Sequence, residues 1–318
     1  MKTLVQLLEK AKITLVVLMM LIVFISSAAA QDPSLPAANL GLANIDDGVT
    51  PGPGIYYSNF TQIYQAHSFK DGQGHTVPTA LKVNSYFTVH QFIYLTKLNV
   101  FGGNLGFTAF LPIVRLSATN PDGAVPPVNN GCLGDIIVAP AIVWANKKLF
   151  DRPLFHRVEL DFFLPTGSYN ANIPINPGAH HYTISAHYTF TYFVTDGFSI
   201  SARNHFNYNT KIIGTDVRPG MFYNVNYSLE QTIYKGFRAE VCGYYLKQLN
   251  QDSNNGNSHY YQDEYGIVNT KEQVLGIGPG LSYLANQRLV LEAKVFFETA
   301  VQNREQGIRP AMQLAYKF

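Results

Sequence analysis

Apolar and polar residues alternate one by one over several long stretches of this chain, which is the pattern of β-strands with two different faces. Between residues 181 and 192 the even positions are Tyr182, Ile184, Ala186, Tyr188, Phe190 and Tyr192, and the odd positions are His181, Thr183, Ser185, His187, Thr189 and Thr191. Successive side chains on a strand point to opposite faces, so this segment has one apolar and one polar face. The same alternation recurs in 198–207, 289–298 and 308–318.

Segments of period two, separated by turn residues, predict twelve strands. We place them at 54–67, 80–95, 98–111, 133–146, 154–166, 180–193, 197–209, 220–233, 236–249, 273–284, 288–301 and 307–318. The connections between them alternate between short and long along the chain. Outer-membrane barrels have this arrangement, with tight turns on the periplasmic side and long loops outside. We therefore predict an all-β fold, a transmembrane antiparallel β-barrel of about twelve strands, with an even strand number and both termini in the periplasm.

Ionisable residues recur in the middle of the polar rows. A soluble β-sandwich would expose them to solvent, whereas in a barrel they face a hydrated lumen. In the barrel they form either a constriction that selects solutes or structural salt bridges in a nearly filled lumen, and the sequence leaves both interpretations open. The predicted lumen-lining or constriction residues are Lys82, His187, Arg203, His205, Glu230, Arg238, Glu240, Glu292, Lys294, Glu298 and Arg309.

The two ends of the chain support export to the outer membrane. Three lysines precede an apolar run and the small residues 26–30, which predicts a signal peptide over 1–30 that is cleaved after Ala30. The chain ends on an alternating segment whose last residue, Phe318, resembles the terminal aromatic residue of outer-membrane barrels. The segment 31–53 is rich in Pro, Gly and Ala. It is either a disordered periplasmic lead-in or a plug inside the barrel. We assign the barrel itself to residues 54–318.

The composition adds two constraints. Charged residues make up only 14% of the chain, whereas Tyr and Phe number 20 and 21. A low charge with dispersed apolar residues fits a barrel, in which only every second strand residue meets lipid. No basic stripe suggests binding to nucleic acid. The only cysteines, Cys132 and Cys242, fall on separate predicted strands, and we interpret them as small apolar residues that do not pair.

Several short motifs occur in a fixed order between the predicted strands. They are Gly131-Cys132-Leu133-Gly134-Asp135, Leu164-Pro165-Thr166-Gly167, Tyr244-Tyr245-Leu246-Lys247-Gln248, Gly278-Pro279-Gly280, and Phe297-Glu298 through Asn303-Arg304 to Gly307. Together they resemble the outer-membrane protein family labelled MetA-pathway of phenol degradation, also called the SphA family. The motif positions that carry the resemblance are Gly131, Gly134, Asp135, Pro165, Thr166, Gly167, Gln248 and Gly280.

The resemblance covers nearly the whole chain after the predicted signal peptide. It implies a barrel that passes small, often aromatic or apolar compounds across the outer membrane, and it implies no catalytic residues. One departure lies between Asn176 and Tyr182, where Gly178 is followed by Ala179-His180-His181 rather than by an Asn and a Trp. This departure puts any ligand contact specific to that loop in doubt.

Catalytic and metal-binding patterns are weak. His187 and His205, with Ser185 and Ser201 nearby, are the nearest approach to a hydrolase constellation, but no spacing requires a triad. The adjacent His180 and His181 would point to opposite faces of a strand. We expect no enzyme activity, no metal and no cofactor.

We therefore predict an outer-membrane channel of a Gram-negative bacterium for small, apolar or aromatic compounds. The alternatives are an outer-membrane lipid-modifying enzyme, or a structural or adhesive barrel that binds a partner through its long loops. The expected partners are outer-membrane lipid and lipopolysaccharide, the small-molecule solute and the barrel assembly machinery, without nucleic acid.

Overall fold

The computed structural model describes residues 40–50 and 52–318. The predicted signal peptide and the first part of the segment 31–53 lie outside these residues. Among the described residues no helix is long and apolar enough to cross a membrane. Both cysteines are free, Cys132 at the surface and Cys242 in the interior.

Twelve long strands form one antiparallel sheet, and each predicted strand corresponds to one of them. They are β1 (Gly54–Lys70), β3 (Lys82–Val100), β4 (Gly103–Thr119), β5 (Ile137–Leu149), β6 (Arg152–Phe163), β7 (Thr183–Phe193), β8 (Phe198–Asn209), β10 (Phe222–Tyr234), β11 (Phe237–Gln248), β13 (Gln273–Asn286), β14 (Leu289–Gln302) and β15 (Arg304–Lys317). Shorter elements in the long connections are β2 (Thr76–Val77), β9 (Val217–Arg218), β12 (Ser253–Asn254) and the helix α1 (Tyr260–Tyr265).

The sheet closes on itself. Each long strand pairs with its neighbours in sequence, and β15 also pairs with β1 from Tyr56↔Lys317 to Lys70↔Arg304. Closure leaves no long strand with an unpaired edge, as a membrane-spanning sheet requires. The prediction of a closed twelve-stranded barrel is confirmed. The start of β1 lies beside the end of β15, and the placement of both termini in the periplasm stays a prediction.

The side chains are arranged inside out relative to a soluble protein. On β7, Thr183, Ser185 and Thr189 are completely buried, whereas Ile184 and Tyr188 on the opposite row are exposed. Exposed large apolar residues also mark the outer row of other strands, among them Phe92, Tyr94, Phe206, Leu229 and Met312. Water would penalise such a surface, and the hydrocarbon of a bilayer would accept it.

The connections fall into two sets. The tight ones, which define the turn end of the barrel, are 101–102, 150–151, 194–197, 235–236 and 287–288. The opposite, loop end carries the connections 71–81, 120–136, 164–182, 210–221 and 249–272, together with the single residue Asn303.

The first tight turn differs from the prediction, which placed it at 96–97. The chain turns at Phe101 and Gly102, whose φ angles are 49° and 76°. The side chain of Asn99 accepts a hydrogen bond from the Gly102 N–H at 3.1 Å, and this contact stabilises the turn. The end of β3 and the start of β4 therefore lie about five residues later than predicted, because a turn with positive φ angles forms here without the Asn-Gly pair that usually signals it.

Candidate lumen site

The predicted lumen charges come together inside the barrel, with one exception. Arg238 is half-buried, and those that are almost completely buried are His187, Arg203, His205, Glu230, Glu240, Glu292, Lys294, Glu298 and Arg309. The exception is Lys82. It shares its row of β3 with the exposed Tyr86 and Phe92, and no register shift separates them. Because the row faces outward, Lys82 does not line the lumen, and this prediction is wrong.

Residues 40–50 supply the partners of several lumen charges. Asp47 accepts two hydrogen bonds from Arg203, from Nε at 2.7 Å and from Nη2 at 2.5 Å. Arg157 of β6 reaches the same carboxylate through Nη2 at 3.2 Å and also donates to the Asp47 carbonyl. We call Asp47, Arg157 and Arg203 the Asp47 clamp. A fork of paired N–H groups on one carboxylate is the strongest hydrogen-bonding geometry that these groups offer.

The clamp keeps Asp47 ionised. Burial raises the pKa of its carboxyl group, but Arg203 and Arg157 outweigh this effect and lower the pKa from 3.8 to about 2.

The preceding residue, Asp46, forms a second contact with the wall. Arg238 donates to both of its carboxylate oxygens, at 2.5 and 2.6 Å. Arg238 also lies 3.3 Å from Glu230, whose carboxylate accepts the Asp46 N–H at 3.0 Å and is hydrogen-bonded by Ser199. Glu230 and Glu240 lie directly opposite each other in the sheet, as their predicted strands suggested.

Asn44 connects the segment to a third part of the wall. Its side-chain amide donates to the carbonyls of Tyr227 and Gly243 at 3.1 and 2.9 Å. The amide oxygen accepts a hydrogen bond from Lys294 at 2.9 Å, and Lys294 is paired with Glu292 at 2.7 Å. The same ammonium group donates to the Leu42 carbonyl at 3.1 Å.

The backbone of the segment also contacts the wall closely. The Gly48 N–H donates to Thr191 Oγ1 at 2.9 Å, and the Gly41 N–H donates to Asn226 Oδ1 at the same distance. A methyl group on Gly48 would collide with the backbone of Phe155, Phe190 and Thr191. The wall backbone cannot move aside without disturbing the sheet, so glycine is required for this approach.

A separate cluster lies on β1, β11, β14 and β15. Its ion pair joins Arg309 and Glu298, and both residues belong to strands. Arg309 donates to Tyr244 Oη at 3.0 Å, to Gln62 at 2.8 Å and to Glu298 at 3.3 Å. Glu298 in turn accepts hydrogen bonds from Tyr64 and Tyr244 at 2.8 and 2.7 Å. We call these five residues the Arg309 cluster. Gln62 also donates to the Leu40 carbonyl at 3.0 Å.

The two predicted lumen histidines lie directly opposite each other on β7 and β8, with ring centroids 4.6 Å apart. His187 Nδ1 is 3.2 Å from Asp161, and Ser185 Oγ is 3.1 Å from His205 Nδ1. Ser185 and Asp161 both face Nδ1 of His205, the latter at 3.9 Å. A catalytic triad needs the serine and the acid at different ring nitrogens, so the arrangement does not have hydrolase geometry.

The family-motif residues hold the loop end together. Asp135 accepts hydrogen bonds from the N–H groups of Gly167 and Ala179, both at 2.8 Å, and so ties together the connections 120–136 and 164–182. The Ile136 N–H donates to Thr166 Oγ1 at 3.0 Å, and the Gly134 N–H donates to the Pro112 carbonyl at 3.0 Å.

Close packing explains several of the motif glycines. A side chain on Gly131 would collide with Ser168, and one on Gly280 would collide with Glu240. Gln248 donates to Asp252 at 2.8 Å and anchors the start of the longest connection. The structure shows no specific contact of Pro165 that explains its place in the motif. The other motif residues contact the wall and the loops. Gly178, which precedes the departure from the family pattern, packs directly against Gly167.

A cavity of about 410 Å³ opens at the turn end of the barrel. Aromatic and aliphatic side chains line it together with polar and charged ones, and the apolar residues include Tyr56, Phe60, Leu95, Val143 and Tyr316. The Asp47 clamp lies at its inner boundary, where Arg157, Arg203 and Asp47 also line the cavity. The cavity therefore ends where residues 40–50 bind the wall.

The sequence interpretation missed the partners of several lumen charges. Arg157, Glu159 and Asp161 alternate on β6 and could have been found from the same period-two pattern. Asp46 and Asp47 precede the first strand in a segment without periodicity, and no local signal pointed to the lumen.

The closed sheet, its apolar exterior and its charged interior define an outer-membrane β-barrel. The chain belongs to the family described as "Putative MetA-pathway of phenol degradation", whose model matches residues 66–313. This result confirms the resemblance inferred from the motifs. No curated protein matches the chain.

Solved structures that resemble this chain include a bacterial channel and a translocator domain. The COG4313 outer membrane channel from Pseudomonas putida F1 is 13% identical, with a TM-score of 0.69 over 85% of this chain and 97% of that chain. The translocator domain of the autotransporter NalP from Neisseria meningitidis is 12% identical, with a TM-score of 0.47 over 86% of this chain and 92% of that chain. At these identities the likeness concerns the fold alone.

Proposed function

We propose that this protein is an outer-membrane channel for small apolar or aromatic compounds. The observation that carries the proposal is the cavity at the turn end, where aromatic and aliphatic side chains adjoin charged residues of the lumen. Its volume of about 410 Å³ lies in the range of about 300–1,000 Å³ that holds small ligands in proteins. Membership of the family supports the same proposal. So does the similarity to the Pseudomonas putida structure, which is described as an outer membrane channel.

We further propose that residues 40–50 form a plug, which is the second of the two roles considered for the segment 31–53. The Asp47 clamp, the Asp46–Arg238 pair and the Asn44 contacts bind this segment from several sides of the lumen. In this proposal the lumen charges act mainly by holding the plug, and a solute passes when the plug shifts. The cleaved signal peptide over 1–30 stays part of the proposal.

Catalysis is not part of the proposed function. Ser185 and His205 are completely buried in the wall, and the acid faces the same ring nitrogen as the serine. Both side chains face the barrel interior, on the side of the sheet opposite the row that membrane lipid would contact. Outer-membrane lipid, lipopolysaccharide and the barrel assembly machinery remain proposed partners, as the exposed apolar outer rows require a membrane environment.

The solute class can be tested by flux into proteoliposomes. Aromatic carboxylates such as benzoate are suitable probes, because their charge slows leakage through lipid at neutral pH. We expect wild-type protein to pass benzoate faster than a sugar of similar size. The substitution Phe60→Ser, which makes the cavity wall polar, should reduce this preference, and the exposed loop variant Lys211→Gln should not. Equal rates for the aromatic acid and the sugar in wild-type protein would contradict the proposal.

A further inference from the structure

Three buried side chains with metal-binding chemistry meet on three consecutive strands. Asp161 lies on β6, His187 on β7 and His205 on β8, and each is almost completely buried. One donor atom of each residue lies within 4.8 Å of the donor atoms of the other two. The group belongs to the strands themselves, so its geometry does not depend on a loop.

The sheet register explains why these residues meet. His187 lies directly opposite both Glu159 on β6 and His205 on β8. Asp161 is two residues beyond Glu159, and therefore points to the same face. Directly opposite and diagonal neighbours on one face of a sheet lie within side-chain contact. The backbone thus holds all three side chains in place before any ligand binds.

The distances suit a small metal ion. His187 Nδ1 lies 3.2 Å from Asp161 Oδ2, and His205 Nδ1 lies 3.9 Å from the same oxygen. Zinc bonds to nitrogen and oxygen are about 2.0–2.2 Å long, so the ligands of a tetrahedral site are about 3.3–3.6 Å apart. The two distances to Asp161 lie on either side of this range, so small side-chain shifts would bring both to this geometry.

Unsatisfied polar atoms give independent support for a missing ligand. Among the described residues, Asp161 Oδ1 and His205 Nε2 are buried and have no hydrogen-bond partner. Buried polar atoms without a partner are rare and normally indicate a bound water or ion. Such atoms on two residues of one cluster would be costly if nothing bound there.

Neighbouring side chains provide a suitable surrounding shell. Glu159 Oε2 lies 3.4 Å from His187 Nε2, where it can accept a hydrogen bond from the ring N–H and leave Nδ1 for a metal ion. With neutral histidines, the carboxylates of Asp47, Glu159 and Asp161 outnumber the guanidinium groups of Arg157 and Arg203 by one. A divalent cation therefore enters a region whose fixed charge is negative.

We propose that Asp161, His187 and His205 bind a divalent transition-metal ion of the zinc class within the barrel wall. One ring nitrogen of each histidine and one oxygen of Asp161 are the protein ligands, and water or Glu159 completes the coordination. Imidazole ligands favour zinc, cobalt or nickel over calcium and magnesium, which prefer oxygen. The ion joins β6, β7 and β8 beside the strand residues that form the Asp47 clamp.

The experiment uses folded protein purified in detergent without a polyhistidine tag. After removal of metals with a chelator, the protein is titrated with Zn²⁺ by calorimetry and with Co²⁺ by visible absorption. We expect one ion per barrel and the intense Co²⁺ bands of a four- or five-coordinate site. The substitutions His187→Gln and His205→Gln should each weaken binding at least about 100-fold, and Glu159→Gln about 10–100-fold, as outer-shell changes do.

The matched control is His156→Gln, because His156 lies on β6 but stacks on Trp144 outside this cluster. It should leave the affinity unchanged. Heat-modified migration on gels establishes that each variant is folded. If His187→Gln does not fold, His205→Gln and the wild-type Co²⁺ spectrum decide the question. Absence of stoichiometric binding to wild-type protein, or undiminished binding to folded His205→Gln, would overturn the proposal.

Discussion

Two sides of the lumen solve the problem of buried charge differently. In the Arg309 cluster, Glu298, Tyr244 and Gln62 accept hydrogen bonds from Arg309, and Tyr64 donates to Glu298, so that residues of the strands alone pair the two charges. The Asp47 clamp differs, because its two arginines lie on strands but share a carboxylate that residues 40–50 supply. The charges on one side of the barrel are therefore paired by strand residues, although Gln62 also contacts the Leu40 carbonyl, and the charges on the other side are paired only when the segment is bound.

The two clusters should therefore affect different properties, namely the stability of the barrel and the release of residues 40–50. Loss of an ion inside the Arg309 cluster should weaken the barrel itself, whereas loss of Asp47 should mainly release the segment. A buried charge that loses its partner is strongly destabilising. The barrel is destabilised when both partners lie on strands, and the binding of residues 40–50 is weakened when one partner lies in that segment.

The largest effect is expected for Glu298→Gln. This change leaves Arg309 without its carboxylate, and breaking a buried pair in this way costs about 3–5 kcal/mol. Urea unfolding followed by Trp144 fluorescence should show this loss. Glu264→Gln in the exposed helix α1 is the control and should unfold like wild type. A loss below about 1 kcal/mol for Glu298→Gln would mean that the cluster is not the strong structural element described here.

The next largest effect is expected for Asp47→Asn. The substitution removes charge-assisted hydrogen bonds worth about 1.5–3 kcal/mol and should release residues 40–50 more often. A cysteine placed at the buried Ile45, in a Cys132→Ser background, reports this release through its rate of labelling by a thiol reagent. We expect labelling about 10–100-fold faster, since about 1.4 kcal/mol corresponds to a factor of ten. The control Glu264→Gln should not change the rate, and an unchanged rate in Asp47→Asn would argue against the clamp.

A smaller effect is expected for the interaction energy between Asp47 and Arg203. In a double-mutant cycle of Asp47→Asn and Arg203→Gln, measured by the same labelling assay, we expect an interaction energy of about 0.5–3 kcal/mol. The corresponding cycle of Asp47→Asn with Glu298→Gln should give a value near zero, because the two clusters share no residue. Equal coupling in both cycles would remove the distinction between the two sides of the lumen.

The smallest effect concerns pH. The pKa of Asp47 is lowered from 3.8 to about 2, so its ionised form favours the bound segment above pH 3.8. This contribution is lost as the pH falls through about 2. Labelling at position 45 should therefore not change because of Asp47 between pH 5 and pH 8. A change within this interval that disappears in Asp47→Asn would show that the clamp does not lower the pKa.

Much of the barrel could be predicted because its physical cause is local. Thr183, Ser185 and His187 alternate with Ile184 and Tyr188, and this period alone determines which side chains face lipid. The same reasoning found Arg203, Glu230 and Arg309. It failed at Lys82, where the alternation is least regular and a single polar residue was assigned to the wrong row.

The partners of the lumen charges were harder to predict. Asp47 is separated from Arg203 by 156 positions and lies in a segment with no repeating pattern. Only the closed barrel brings the two together, so the sequence could suggest a plug but not its contacts. Asp161 was missed for a different reason: its row on β6 carries the period, but only the register of β6, β7 and β8 brings it beside His187 and His205.

The most direct test of the account is the single-channel conductance of Asp46→Asn/Asp47→Asn beside that of wild type and of Glu298→Gln. The account predicts a several-fold larger conductance, or frequent large openings, only when both aspartates are changed. Unchanged conductance in a folded double variant would contradict the claim that residues 40–50 close the lumen through their ion pairs.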